Sequence, residues 1–114
     1  MEKINVSYLE EVCGGDKEII TEMVNIFRDQ IPEFIEGMRS HYEKEEFPEL
    51  GLLAHKAKSS IAIMGMEDLA LRLKELELKA KAGEEREKYS WYINDFIDQT
   101  NQALKEIDEY LKGL

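Results

Sequence analysis

The sequence contains few residues that interrupt helices or cross-link chains: two prolines, seven glycines and one cysteine in 114 residues. A single thiol forms no internal disulfide and shares no metal with a second thiol, so we interpret Cys13 as a small buried apolar residue. No apolar run approaches the ~18 residues that span a bilayer, and the opening letters MEKINVSYLEEV lack the basic-then-apolar order of a signal peptide. These absences predict a cytoplasmic protein with no membrane partner.

Basic residues are scarce relative to acidic ones, with 15 lysines and arginines against 25 aspartates and glutamates and a net charge of −10. Affinity for a phosphate backbone comes from clustered basic residues, so we expect no nucleic-acid partner. The hydrophobic fraction of 43% is typical of a folded chain. At this length we expect one domain over residues 1–114, with no room for a nucleotide-binding domain beside a second one.

The apolar residues recur at helical spacing, which predicts an all-α fold. A short first helix over residues 7–12 precedes a long second helix that Asp16 caps and that Pro32 is expected to kink. A polar connection containing His41 leads to a third helix over 47–64, a fourth ends near Gly83, and a last helix follows. Long helices with short connections predict an antiparallel up-down four-helix bundle, with the short N-terminal helix across one end.

The third helix has two distinct faces when its residues are placed at about 100° intervals. An apolar arc opposite His55 contains Leu50, Leu53, Ala54, Ala57, Ile61 and Met64. The side that includes His55 contains Pro48, Gly51, Leu52, Ser59 and Ala62, and Lys58 flanks it. Surface helices usually carry long charged side chains, so a solvent face of small residues predicts that a partner docks there. The expected contact residues are Gly51, Leu52, Ser59 and Ala62.

An exposed His55 with no nearby carboxylate to orient it and no cleft to exclude water is poorly suited to general acid–base catalysis on a bound substrate. The same ring, when neutral, is suited to act as a nucleophile that a partner's active site approaches. Lys58 lies one helical turn further on, where its ammonium can hold a phosphoryl group carried by the ring. The residues alone therefore fit either an idle surface histidine or a nucleophile whose phosphoryl group Lys58 can hold.

The run AHKAKSSIAIMGMEDLALRLKELE, residues 54–77, resembles the signature of histidine-containing phosphotransfer (HPt) domains. In that signature Ala-His is followed by Lys at +3, a small residue at +4, Gly at +10, and Leu and Leu-Glu in the next helix. The matching residues are Ala54, His55, Lys58, Ser59, Gly65, Leu69, Leu76 and Glu77. Phe27 and Pro32 match a Phe and a Pro that the family commonly carries upstream, so the resemblance extends over nearly the whole chain.

The resemblance implies a four-helix bundle whose histidine, here His55, is phosphorylated at Nε2. The phosphoryl group passes to or from the aspartate of a receiver domain, in a response regulator or a hybrid kinase, within a two-component phosphorelay. Such domains have no kinase activity and no cofactor of their own, since the receiver supplies Mg²⁺. The family most often has Gly at +4, where this chain has Ser59, whose hydroxyl either donates to the phosphoryl group or bonds back to the carbonyl of His55.

Two other functions stay open at this point. One is a phosphate-independent helical adaptor that binds a partner through the His55 face. Such an adaptor would be expected to lack the histidine. The dimerisation domain of a histidine kinase usually has an acidic residue after its histidine and a proline soon after, whereas Lys56 follows here and no proline occurs after Pro48. The sequence names neither the donor nor the acceptor, and it does not separate a standalone protein from a domain of a hybrid kinase.

The remaining candidates predict no second site. His41 is expected to be solvated, and the nearby Glu43, Glu45 and Glu46 lack a second histidine at ligand spacing, so we expect no metal site. A group of aromatic residues in the last helix is interpreted as core and helix-end packing: Tyr89, Trp91, Tyr92 and Phe96. Because each helix buries its apolar face inside one bundle, we expect a monomer.

Overall fold

A computed structural model describes residues 3–113, and all of its regular elements are helical. The helices are α1 (Val6–Val12), α2 (Lys17–Glu43), α3 (Phe47–Ile63), α4 (Glu67–Ala82) and α5 (Tyr89–Lys112), with a 3₁₀ turn at Arg86–Lys88. The predicted all-α class is confirmed. No helix within residues 3–113 is long and apolar enough to cross a membrane.

The short helix α1 lies against the end of α3. Asn5 caps α1 by accepting a hydrogen bond from the backbone N–H of Tyr8 at 3.0 Å, and its own N–H donates to the Met64 carbonyl at 3.0 Å. Gly65 has a φ of +75°, and a Cβ added to it would lie 2.4 Å from the Cβ of Asn5. Glycine is therefore needed here for both the left-handed turn and the close approach. The predicted buried position of Cys13, just after α1, is confirmed.

The long helix α2 begins as predicted, with the Asp16 carboxylate accepting from the backbone N–H groups of Glu18 and Ile19 at 2.9 and 3.3 Å. Pro32 lies inside α2 at an exposed position, and the helix continues on both sides of it. His41 lies in the last turn of α2, so its assignment to a connection was wrong. The polar letters there form the exposed end of a helix, and a polar composition alone does not end one.

Four helices close the bundle, because α2 and α4 each pack against both α3 and α5. Fully buried side chains from all four fill the core: Ile20, Ile31, Met38, Leu50, Ile61, Leu73, Leu76, Tyr89, Phe96 and Ile107. The contact between α3 and α4 is the most extensive one. These two helices are joined by a short connection and carry the residues of the candidate site.

The aromatic residues at the start of α5 divide between core and surface. Tyr89 is buried, and its ring packs edge-on against Phe47 with centroids 5.2 Å apart. Its hydroxyl lies 2.8 and 2.7 Å from the carbonyl oxygens of Lys79 and Glu84, either of which can accept its one proton. Trp91 is 57% exposed and its ring packs edge-on against Tyr92 with centroids 5.2 Å apart, so it belongs to the helix-end part of the expected packing and not to the core. It lies two positions from Tyr89 on a helix, which places it on a different face.

Candidate functional site

His55 lies in the middle of α3 with 56% of its side chain exposed. The opposite arc is buried as the helical phase predicted, apart from Leu53, which is half-buried: Leu50, Ala54, Ala57, Ile61 and Met64. The outward orientation of His55 therefore follows from the amphipathic pattern of its own helix, and a partner can reach the ring.

A carboxylate orients this ring, contrary to the expectation that none is near. The Nδ1 atom of His55 lies 3.0 and 3.1 Å from the two carboxylate oxygens of Glu77, on α4. An ionised carboxylate only accepts hydrogen bonds, so the Nδ1–H of a neutral imidazole donates to it. The lone pair is then carried by Nε2. The earlier expectation failed because Glu77 is 22 residues further along the chain.

Glu77 is nearly buried, with 9% of its side chain exposed, and two lysine ammonium groups lie beside its carboxylate at different distances. Lys81 donates to one carboxylate oxygen at 2.8 Å, and the Lys58 ammonium lies 3.7 Å from the other. The hydrogen bond from Lys81 is the main cause that lowers the pKa of Glu77 to about 2; burial opposes it and the contact with His55 reinforces it. The carboxylate is ionised at neutral pH and remains an acceptor for the imidazole.

Gly51 is buried, and its assignment to the exposed docking face is corrected. A Cβ added to Gly51 would lie 2.9 Å from Cγ of Lys81 and 3.1 Å from the backbone oxygen of Glu77. The residue faces α4 because it lies toward the flank of the predicted face, where the neighbouring helix packs. Its small size lets α4 approach α3, which brings Glu77 to His55.

The other expected docking residues, Leu52, Ser59 and Ala62, are exposed on α3. Ser59 and Ala62 also line a shallow groove between α3 and α4, together with Lys58, Glu67, Ala70, Leu71 and Lys74. Leu71 and Leu78 of α4 are 60% and 58% exposed. Sequence reasoning missed both leucines because it followed only the core stripe of α4, although residues seven apart share one face of a helix.

His41 does not join the His55 site. Its Nδ1 lies 3.0 Å from a carboxylate oxygen of Glu46, just beyond the end of α2. Within residues 3–113, no three histidine, cysteine, aspartate or glutamate side chains are grouped so that they could hold a metal ion. His41 therefore contacts a nearby carboxylate and is not, as the sequence had led us to expect, simply solvated.

Comparison with known proteins identifies the family. The model of the Hpt domain matches residues 22–112, which include all of α3, α4 and α5 and most of α2. No curated protein and no solved structure gives a match. Hpt domains have a phosphotransfer role in two-component signalling. With most of its length inside this match and a helical bundle as its fold, the chain belongs to the Hpt, or histidine-containing phosphotransfer, domain family.

Proposed function

We propose that the chain is a phosphorelay intermediate that carries a phosphoryl group on His55, received from and passed to aspartates of receiver domains. The observation that carries this proposal is the exposed imidazole whose Nδ1 contacts a nearly buried carboxylate, Glu77, at 3.0 Å. This contact keeps the proton on Nδ1 and leaves the Nε2 lone pair facing solvent. A partner's phosphorylated aspartate can then approach Nε2 directly.

In the forward step the Nε2 lone pair of His55 forms a bond to phosphorus, and the bond from phosphorus to the aspartyl oxygen breaks. The aspartate leaves as a carboxylate, and the ring keeps its Nδ1 proton. Positive charge develops on the imidazole as Nε2 bonds, and the Glu77 carboxylate beside Nδ1 stabilises it. The reverse step returns the phosphoryl group to a second aspartate with the same atoms in the same roles.

Lys58 is proposed to steady the phosphoryl group. It lies one helical turn from His55, and its ammonium, 3.7 Å from Glu77, is beyond hydrogen-bond distance of that carboxylate. A lysine ammonium is a point charge on a flexible stem and can follow a group in transit. We expect the receiver to supply the Mg²⁺ and the aspartate, so the chain needs no cofactor of its own. As a phosphocarrier, like other Hpt domains, it would have no kinase activity.

The receiver is proposed to dock over His55 on the exposed Leu52, Ser59 and Ala62. A relay needs a partner that leaves again, so we expect a transient contact that buries about 1,200 Å² or less, made by a monomeric bundle. A phosphate-independent adaptor would bind through the same face. It would have no need of the buried carboxylate that orients His55, which favours the phosphocarrier.

The test is phosphotransfer from phosphorylated receiver domains of the same genome in the presence of Mg²⁺. We expect one phosphoryl group that is labile in acid and stable in alkali, as a phosphoramidate is. His55→Gln should abolish the signal without unfolding the bundle, and the control His41→Gln should leave it unchanged. Phosphate on Ser59, or full transfer by His55→Gln, would contradict the proposal.

A further inference from the structure

Two lysines approach the same carboxylate at different distances. Lys81 Nζ lies 2.8 Å from Oε2 of Glu77, within hydrogen-bond distance, whereas Lys58 Nζ lies 3.7 Å from Oε1. Lys81 and Glu77 are four residues apart on α4, so the helix itself brings them together. In the proposed transfer step Lys58 steadies the phosphoryl group. Lys81 has no role in that step, although it is the closer partner of Glu77.

The stem of Lys81 is held against α3. Its Cγ occupies the space beside Gly51, where an added Cβ would lie only 2.9 Å away. Gly51 precedes His55 by one helical turn, so Lys81 crosses the α3–α4 contact immediately beside the imidazole. Its position is therefore set by packing of the stem as well as by the hydrogen bond of its ammonium.

Glu77 needs a cation close to its carboxylate, and two lysines can provide one. A nearly buried carboxylate without a close cation is costly, and it draws in whichever ammonium can reach it. If Lys81 were absent, Lys58 would be that ammonium, since it is already 3.7 Å away. A phosphoryl group on Nε2 of His55 would then compete with Glu77 for the same lysine.

We propose that Lys81 is a positioning residue for phosphotransfer: it holds Glu77 against His55 and so leaves Lys58 free for the phosphoryl group, with Gly51 providing the space for its side chain. This proposal rests on the proposed function of His55. Lys81 then stabilises the carboxylate that orients the ring, and Lys58 stabilises the phosphoryl group that is transferred.

The kinetic test compares phosphotransfer rates of Lys58→Ala, Lys81→Met and the double variant with the unaltered chain, using one phosphorylated receiver. We expect each single change to slow transfer by about five- to tenfold, with the double variant within about twofold of Lys81→Met because the two effects are coupled. Lys81→Arg should restore most of the rate. Lys105→Met, on α5 outside the site, is the matched control. Independent, multiplying losses would overturn the proposal.

A second measurement needs no phosphotransfer and separates this proposal from the proposed function. Nuclear magnetic resonance of the unphosphorylated chain reports how fast the Lys58 ammonium exchanges its protons with water. We expect fast exchange in the unaltered chain, slower exchange in Lys81→Met as Lys58 closes on Glu77, and fast exchange again when Glu77→Gln is added. Unchanged exchange in Lys81→Met would overturn the role of Lys81 even if His55 is phosphorylated. Failure of transfer with the expected exchange would count against the proposed function alone.

Discussion

The Nδ1 atom of His55 on α3 lies 3.0 Å from the carboxylate of Glu77 on α4, 22 residues further along the chain. The hydrogen bond joins an exposed ring to a nearly buried charge. Because the carboxylate is nearly buried and accepts a hydrogen bond from Lys81, it can fix the orientation of the ring while Nε2 stays open to a partner. The two helices that carry these residues form the most extensive contact in the bundle.

Replacing Glu77 by Gln should slow phosphotransfer by about tenfold or more, since losing the carboxylate that orients a histidine costs about 10- to 100-fold where the histidine binds a metal. The amide of Gln can also donate to Nδ1, so the ring loses its single preferred tautomer. Nitrogen chemical shifts of the neutral ring measure the tautomer, and transfer kinetics measure the rate. Glu109→Gln on α5 is the control. Equal rates for Glu77→Gln and the unaltered chain would contradict the positioning role of the carboxylate.

The lowered pKa of Glu77 predicts a pH dependence of stability. Its pKa falls from 4.5 to about 2 on folding, so its contribution is fully present above about pH 5 and is lost as the pH falls toward 2. With allowance for solvent around the partly exposed Lys81, this loss is about 2 kcal/mol. Urea unfolding at pH 7 and pH 3 should show a smaller decrease for Glu77→Gln than for the unaltered chain. Identical decreases would show that Glu77 is not the group responsible.

Gly51→Ala should destabilise the bundle by about 1–2 kcal/mol and slow transfer, because the new methyl group would push on the backbone of α4 beside Glu77. Gly37→Ala is the matched comparison, since its Cβ would meet the end of the Leu53 side chain, which can rotate. There we expect stability equal to or above that of the unaltered chain, since Ala favours a helix by about 1 kcal/mol over Gly. Chemical unfolding measures both. Equal stability of the two variants would show that a glycine at position 51 is not needed for the close packing of α3 and α4.

Ala62→Arg should slow transfer strongly while it changes the free energy of unfolding by less than about 0.5 kcal/mol, since Ala62 is exposed. A long charged side chain would obstruct a receiver that approaches His55 over this face. Transfer kinetics and thermal unfolding, with Gln102→Arg on the exposed side of α5 as the control, separate docking from folding. A normal rate for Ala62→Arg would place the docking surface elsewhere.

The helices and the outward direction of His55 could be predicted from the amino-acid sequence alone. Both depend on apolar residues that recur every three to four positions, and this period is local to each helix. The signature from Ala54 to Glu77 was sufficient to indicate the family, which the match over residues 22–112 confirms. An acid at position 77, beside the buried Leu76 and between the buried Leu73 and Ala80, was a further signal that this charge has a partner.

The residues that surround the imidazole could not be predicted from the sequence, because they depend on how α3 and α4 pack. The contact of His55 with Glu77 and the cover of Gly51 by Lys81 both cross from α3 to α4, and the period of one helix does not give the distance to another. A small residue near the edge of an exposed face fits an open docking surface and a close helix contact equally well. Gly51 belongs to the second kind because the rotation and separation of two packed helices are set by all the side chains between them.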